Sequence, residues 1–158
     1  MLASDFGDAP QPYATLLAED GARHEAIGPT LGSMRDTEVD GIRLGAAGGD
    51  DNTATADEDG VTFGVIQVGQ AAGSVTVNVQ NGSDPEGTPA GKLDAWIDFN
   101  GDGSWGGTGE QIFVGRDVVV GDNDLSIPIP AYTVAGQTYA RFRLSTVGGL
   151  AWTGAAAD

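Results

Sequence analysis

The chain has 158 residues, with 23 acidic side chains against 7 basic ones and a formal net charge of −16. A surface so poor in Lys and Arg cannot neutralise phosphates, which excludes nucleic acid as a partner and disfavours an anionic membrane face. With no cysteine there is neither a disulfide framework nor a thiolate metal site, and no stretch approaches the ~20 apolar residues of a membrane span.

This length predicts a single domain, residues 1–158, with a core of its own. Like charge on this scale pushes a compact state apart unless bound divalent cations or salt offset it. Met1–Ser4 has neither the basic start nor the apolar stretch of a secretion signal. Residues 1–4 therefore read as an addition from outside the domain, and the rest as part of a longer exported protein.

Residues 5–60 form a loop-rich, acidic segment whose apolar cluster before Ile27 is Tyr13-Ala14-Thr15-Leu16-Leu17. Acid then dominates, with Asp36, Glu38, Asp40, Asp50, Asp51, Asp57, Glu58 and Asp59 interleaved with glycine. Such composition reads as disordered unless cations gather the carboxylates. A solvated acidic face is the alternative. The glycine interleaving favours at least one calcium among Asp5, Asp8, Asp36, Glu38, Asp40, Asp50, Asp51, Asp57 and Asp59.

From residue 61 to 158 strand signals recur. Strands are predicted over 61–68, 74–80 (Val75, Val77 and Val79 on one face), 92–99, 111–114, 118–120, 125–129 and 137–146. Asn81-Gly82, Asp84-Pro85-Glu86-Gly87 and Gly121-Asp122-Asn123-Asp124 read as the reversals between them. No segment has helical periodicity. The expectation is an all-β fold: an antiparallel β-sandwich, Greek-key or jelly-roll-like, with long calcium-stabilised loops.

The run Trp96-Ile97-Asp98-Phe99-Asn100-Gly101-Asp102-Gly103-Ser104-Trp105 carries the most chemistry. Asp98, Asn100 and Asp102 alternate, Gly103 follows at once, and Ser104 and Glu110 extend the oxygen set. Calcium takes six to eight oxygens at about 2.3–2.6 Å, and D-x-[DN]-x-[DN]-G spacing folds alternate side chains around one ion. The twelfth loop position is Gly109, so Glu110 falls one residue later than in a helix-flanked loop. Alternation of Leu93, Ala95, Ile97 and Phe99 with Asp94, Trp96 and Asp98 places this loop between strands. A plain solvated hairpin is the competing reading.

Other constellations are weaker. His24 is the sole histidine, lacks the second histidine of H-E-x-x-H, and reads as a loop residue without a metal role. No serine lies in a G-x-S-x-G elbow, so the chain is not read as an enzyme. Trp105 is expected half exposed within the metal loop, and Arg141 and Arg143 alternate outward from the last strand. The two arginines pair with carboxylates internally or hold a ligand carboxylate.

Taken together, several motifs resemble the GEVED domain of bacterial secreted and surface proteins. They are Asp5-Phe6-Gly7-Asp8-Ala9-Pro10 followed by Tyr13, Gly28-Pro29-x-Leu31-Gly32, Asp36-x-Glu38-x-Asp40-Gly41, Gly49-Asp50-Asp51, Asp57-Glu58-Asp59-Gly60-Val61, the Trp96–Trp105 run with Glu110, and Tyr139–Ser145. The resemblance implies a calcium-loaded β-sandwich module at the cell surface, among other domains of a large polypeptide such as an RTX-type adhesin. The implied partner is a peptide or protein terminus on a host or neighbouring cell, recognised with calcium. Two other readings stand beside it, a calcium-rigidified spacer without a ligand and a carbohydrate-binding module.

Overall fold

The computed structural model describes residues 4–33, 37–43, 60–82 and 90–156. Nine strands run in chain order: β1 Ser4–Phe6, β2 Arg23–Glu25, β3 Thr30–Leu31, β4 Val61–Phe63, β5 Ala72–Gln80, β6 Gly91–Ile97, β7 Gln111–Val118, β8 Gly121–Pro128 and β9 Ala140–Ser145. The one helical feature among the described residues is a 3-10 turn at Leu17–Glu19.

Two antiparallel sheets make the predicted sandwich. In one, β5 pairs with β8 along its whole length on one side and with β3 and β4 on the other. The second runs β7-β6-β9. The valines Val75, Val77 and Val79 of β5 face Leu93, Ala95 and Ile97 of β6, with Phe113, Leu125, Ile127 and Leu144 completing the core. Alternation of period two puts these side chains on one face. Each large apolar side chain so buried contributes about 1.5–3 kcal/mol.

The opposite face of the β7-β6-β9 sheet is not solvent-facing, contrary to the outward placement expected for Arg141 and Arg143. Asp94, Trp96 and Asp98 on β6 and its end, with Arg141 and Arg143 on β9, are all at most 6 % exposed. Residues 5–25 and the stretch 148–156 lie over them as a further layer, tied down by Arg141, Arg143 and Asp94. Charged strand positions read as solvated because alternation distinguishes two faces without saying what covers the second.

Other elements differ from the sequence reading. Ser4 belongs to the fold, since β1 pairs with β2 from Ser4↔Glu25 to Phe6↔Arg23. His24 therefore lies in a strand rather than a loop. Gly121–Asp124 begins β8 instead of forming a turn, with Asp122 opposite Asn78 and Asp124 opposite Thr76. Asn78 Nδ2 donates to Asp122 and Thr76 Oγ1 to Asp124, so the acids form a solvent-side ladder. The reversal comes earlier, where the Asn123 side chain accepts from Val119 N–H and donates to the Val119 and Gly121 carbonyls. That local bonding supplies the turn chemistry which the acidic dipeptides only suggested.

A bulge in β7 places Val114 and Gly115 against Asp94 of β6, as Leu93↔Arg116 is followed by Ala95↔Phe113. Asp94 holds it, its Oδ1 accepting from Gly115 N–H at 2.8 Å and its Oδ2 from Leu150 N–H at 3.1 Å. One buried carboxylate thus fixes both the bulge and the covering 148–150 turn.

Candidate metal centre

β6 ends at Ile97 and delivers Asp98, whose side chain is 1 % exposed, to the start of the loop. The chain folds around that carboxylate. Asp98 Oδ1 accepts from the N–H groups of Gly101 (2.7 Å) and Asp102 (3.2 Å), and Oδ2 from Gly103 N–H (2.8 Å). Asn100 Oδ1 accepts from Asp102 N–H, and Asp102 Oδ1 from Ser104 N–H, each at 2.9 Å. Each of these side chains thus caps backbone N–H groups further along the loop, with Asp98 buried and Asn100 and Asp102 exposed. Gly103 needs its glycine: φ is +81°, and a Cβ there would stand 2.3 Å from Pro12 Cγ.

Glu110 closes the centre from the start of β7. Gly109, at φ +85°, turns the chain so that the residue one position late still reaches the loop. Carboxylate oxygens of Asp98, Asp102 and Glu110 lie within 4.8 Å of one another, the one such group of three among the described residues. Glu110 is fully buried; Oε2 accepts from Gly107 N–H at 2.8 Å, while Oε1 has no hydrogen-bond partner. Burial raises the Glu110 pKa, with the Asp98 and Asp102 charges adding to it against the Gly107 hydrogen bond.

Tyr13, which the sequence places in an apolar cluster and in the motif set but not among the metal-loop residues, contacts this centre. Its hydroxyl donates to Asp98 Oδ2 at 2.6 Å, and its ring stacks on Trp105 at 4.2 Å between centroids. Burial, then the Asp98 hydrogen bond and charge, raises the Tyr13 pKa. The signal available was a lone tyrosine just after Asp5–Pro10. A contact spanning 85 positions is not legible in spacing.

Trp105 is 2 % exposed, not half exposed, because Tyr13 covers one side and Arg141 lies 4.4 Å over its ring. Its indole N–H donates to the Tyr139 carbonyl. Arg143 is anchored through five donors: Nε to His24 Nε2, Nη1 to the Ala151 and Thr153 carbonyls, and Nη2 to those of Arg23 and Gly154. That saturated guanidinium cements three segments and does not present a fork to a ligand carboxylate. Arg141 differs. Nη1 donates to the Ala14 and Trp152 carbonyls, but buried Nη2 has no partner. Burial and then the neighbouring Arg143 charge push its pKa down to about 10.

Arg141 lines a cleft of about 420 Å³ between residues 5–31, β4 and β9, whose apolar walls include Phe6, Leu31, Phe63 and Phe142. The remaining predicted ligands are dispersed. Ser104 Oγ accepts from Gly106 N–H and is exposed. Asp5 lies in β1 opposite His24, and Asp8 in the cleft wall. Glu38 Oε2 accepts from Phe6 N–H, and Asp40 Oδ1 from the N–H groups of Leu17 and Gly41. Asp36, Asp50, Asp51, Asp57 and Asp59 lie outside the described residues.

Fold and centre together define an antiparallel β-sandwich carrying an oxygen-rich acidic loop between adjacent strands. Residues 92–158, from the second residue of β6 onward and including the whole loop, match the family model of the GEVED domain. No curated protein and no solved structure matches the chain.

Proposed function

We propose that this is a calcium-binding adhesion module of a large bacterial surface protein, acting outside the cell among other domains of the same polypeptide. One observation carries the reading: the fully buried Glu110 keeps Oε1 without a partner beside the Asp98 and Asp102 carboxylates. An unpartnered carboxylate oxygen in a dry site is costly, and a bound cation removes that cost. The donors are carboxylate and amide oxygens with no nitrogen or sulfur, the set that suits a hard ion. Asp98, Asp102, Glu110 and Asn100 would hold it, and the ion would supply the positive charge that three converging carboxylates lack.

The ligand class we favour is a peptide or protein terminus on a host or neighbouring cell, its carboxylate meeting Arg141 in the cleft. Arg141 is chosen over Arg143 and Trp105 because it alone of the three retains an unpartnered donor group, Nη2. A carbohydrate is the alternative ligand. Burial of Trp105 and saturation of Arg143 favour a second reading, a calcium-stiffened spacer with no ligand.

Calorimetric titration of EDTA-treated protein with CaCl2, with thermal melts in both states, tests the cation. A Kd near 10⁻⁴–10⁻³ M in ~10 mM calcium adds about 1.4–2.7 kcal/mol. At roughly 2–4 °C per kcal/mol the midpoint rises by about 3–11 °C. No binding heat and an unchanged midpoint would remove the reading. A peptide array with free and amidated C-termini then separates adhesin from spacer, and selective capture of free carboxylates in calcium supports the adhesin.

A further inference from the structure

The loop that gathers the acids also clamps the N-terminal segment. Tyr13 donates to Asp98 Oδ2 and stacks on Trp105, while the Pro12 ring fills the space left by Gly103. Arg141, lying over Trp105, donates to the Ala14 carbonyl on the same segment. Ala9, Tyr13, Trp96 and Trp105 form a small buried cluster separate from the sandwich core. Residues 9–14 are thus attached to the sandwich through Asp98, Gly103 and Trp105 of the loop, whereas β2 is held by Arg143 and β3 by β5.

The N-terminal segment is also one wall of the cleft. Phe6, Gly7 and Asp8 lie on it, whereas Leu31, Phe63, Phe142 and Leu144 belong to the sandwich. We propose that occupancy of the Asp98–Glu110 loop by a divalent cation docks residues 6–14 and thereby completes the cleft along β9. The inference rests on the cation reading above and adds its regulatory consequence. Without a cation, the mutual repulsion of three carboxylates within 4.8 Å works against the three N–H bonds that hold Asp98 in place for Tyr13. With one, Asp98 is fixed in the orientation that receives the Tyr13 hydroxyl. Tyr13, Asp98, Asp102 and Glu110 all lie outside the sandwich core, so the core persists in both states.

Linkage makes the coupling reciprocal: if the cation favours docking, docking raises cation affinity by the same factor. Tyr13→Phe keeps the ring on Trp105 but loses the O–H donor. Calcium affinity of that variant should fall by about 5- to 150-fold, the range usual for coupled sites.

Hydrogen exchange read by mass spectrometry on the full chain, in CaCl2 and in EDTA, tests the proposal alongside calcium calorimetry. Expected in EDTA is loss of protection at residues 6–14 and 98–110 together, with β3, β5, β6 and β8 still protected. Glu110→Gln should show that EDTA pattern even in calcium. Calcium binding with residues 6–14 equally protected in both conditions overturns the coupling while leaving the cation site standing. Protection lost at once across the whole chain overturns it too, since the cation would then hold the entire fold. Absence of calcium heat removes the cation reading and the coupling with it.

Discussion

Arg143 offers the sharpest test of the polar layer that covers the β7-β6-β9 sheet. Its side chain is 2 % exposed and its five N–H donors meet His24 and four backbone carbonyls from residues 23, 151, 153 and 154. Arg143→Lys keeps the charge but has three donors on one nitrogen, which cannot span acceptors placed around a planar fork. At least two carbonyl contacts to a charged group are lost, each worth about 1.5–3 kcal/mol, and a poorly compensated charge stays buried. The net cost is about 3–5 kcal/mol, the usual penalty for disrupting a buried ionic group. For a domain near this size each kcal/mol shifts the melting midpoint by about 2–4 °C, giving a fall of roughly 6–20 °C. Differential scanning calorimetry in saturating calcium reads that shift. A variant melting within about 2 °C of the parent would refute a cementing role and return Arg143 to the ligand-facing residues.

Asp94→Ala removes the acceptor for both Gly115 and Leu150 N–H and should destabilise by about 2–4 kcal/mol, with exchange rising first at residues 148–150; a midpoint like the parent's would contradict this. Gly103→Ala forces a Cβ to 2.3 Å from Pro12 Cγ at a φ of +81°. It should cost about 1–3 kcal/mol and expose residues 6–14 to limited proteolysis, and an unchanged cleavage pattern would speak against that contact. Tyr13 has a raised pKa, so the stability it contributes is complete below its unfolded value of 10.0 and is lost as pH climbs through the folded value. Melts taken upward from about pH 9 should fall more steeply for the parent than for Tyr13→Phe; parallel slopes would refute the linkage.

Much of the sandwich was legible because a core strand leaves a local record. Val75, Val77 and Val79 alternate, Leu93, Ala95 and Ile97 answer them, and the two sets meet as their periodicity requires. The loop acids were legible for the same reason, since Asp98, Asn100 and Asp102 need only local turn geometry to converge. What was not legible depends on contacts far apart in sequence. Tyr13 meets Asp98, Arg143 meets Arg23 and His24, and Asp94 meets Leu150, and no spacing rule links such positions. Reading Arg141 and Arg143 as outward followed from alternation alone. The second face of a sheet is polar whether water or a polar layer covers it.

The two layers of this domain are therefore held by different forces. Apolar burial joins the sheets, is indifferent to cations and is weakened little by salt. The N-terminal layer is joined by hydrogen bonds from Tyr13, Arg141 and Arg143 and by a small aromatic cluster, with less apolar area to offset the entropy of ordering. A chain of net charge −16 places that weaker layer under repulsion as well. Such a layer sits at the low-stability end of the molecule, where local opening precedes global unfolding. Tyr13 bonded to the Asp98 carboxylate is one of its anchors, so a cation at that loop, as proposed, would act on the layer without touching the core.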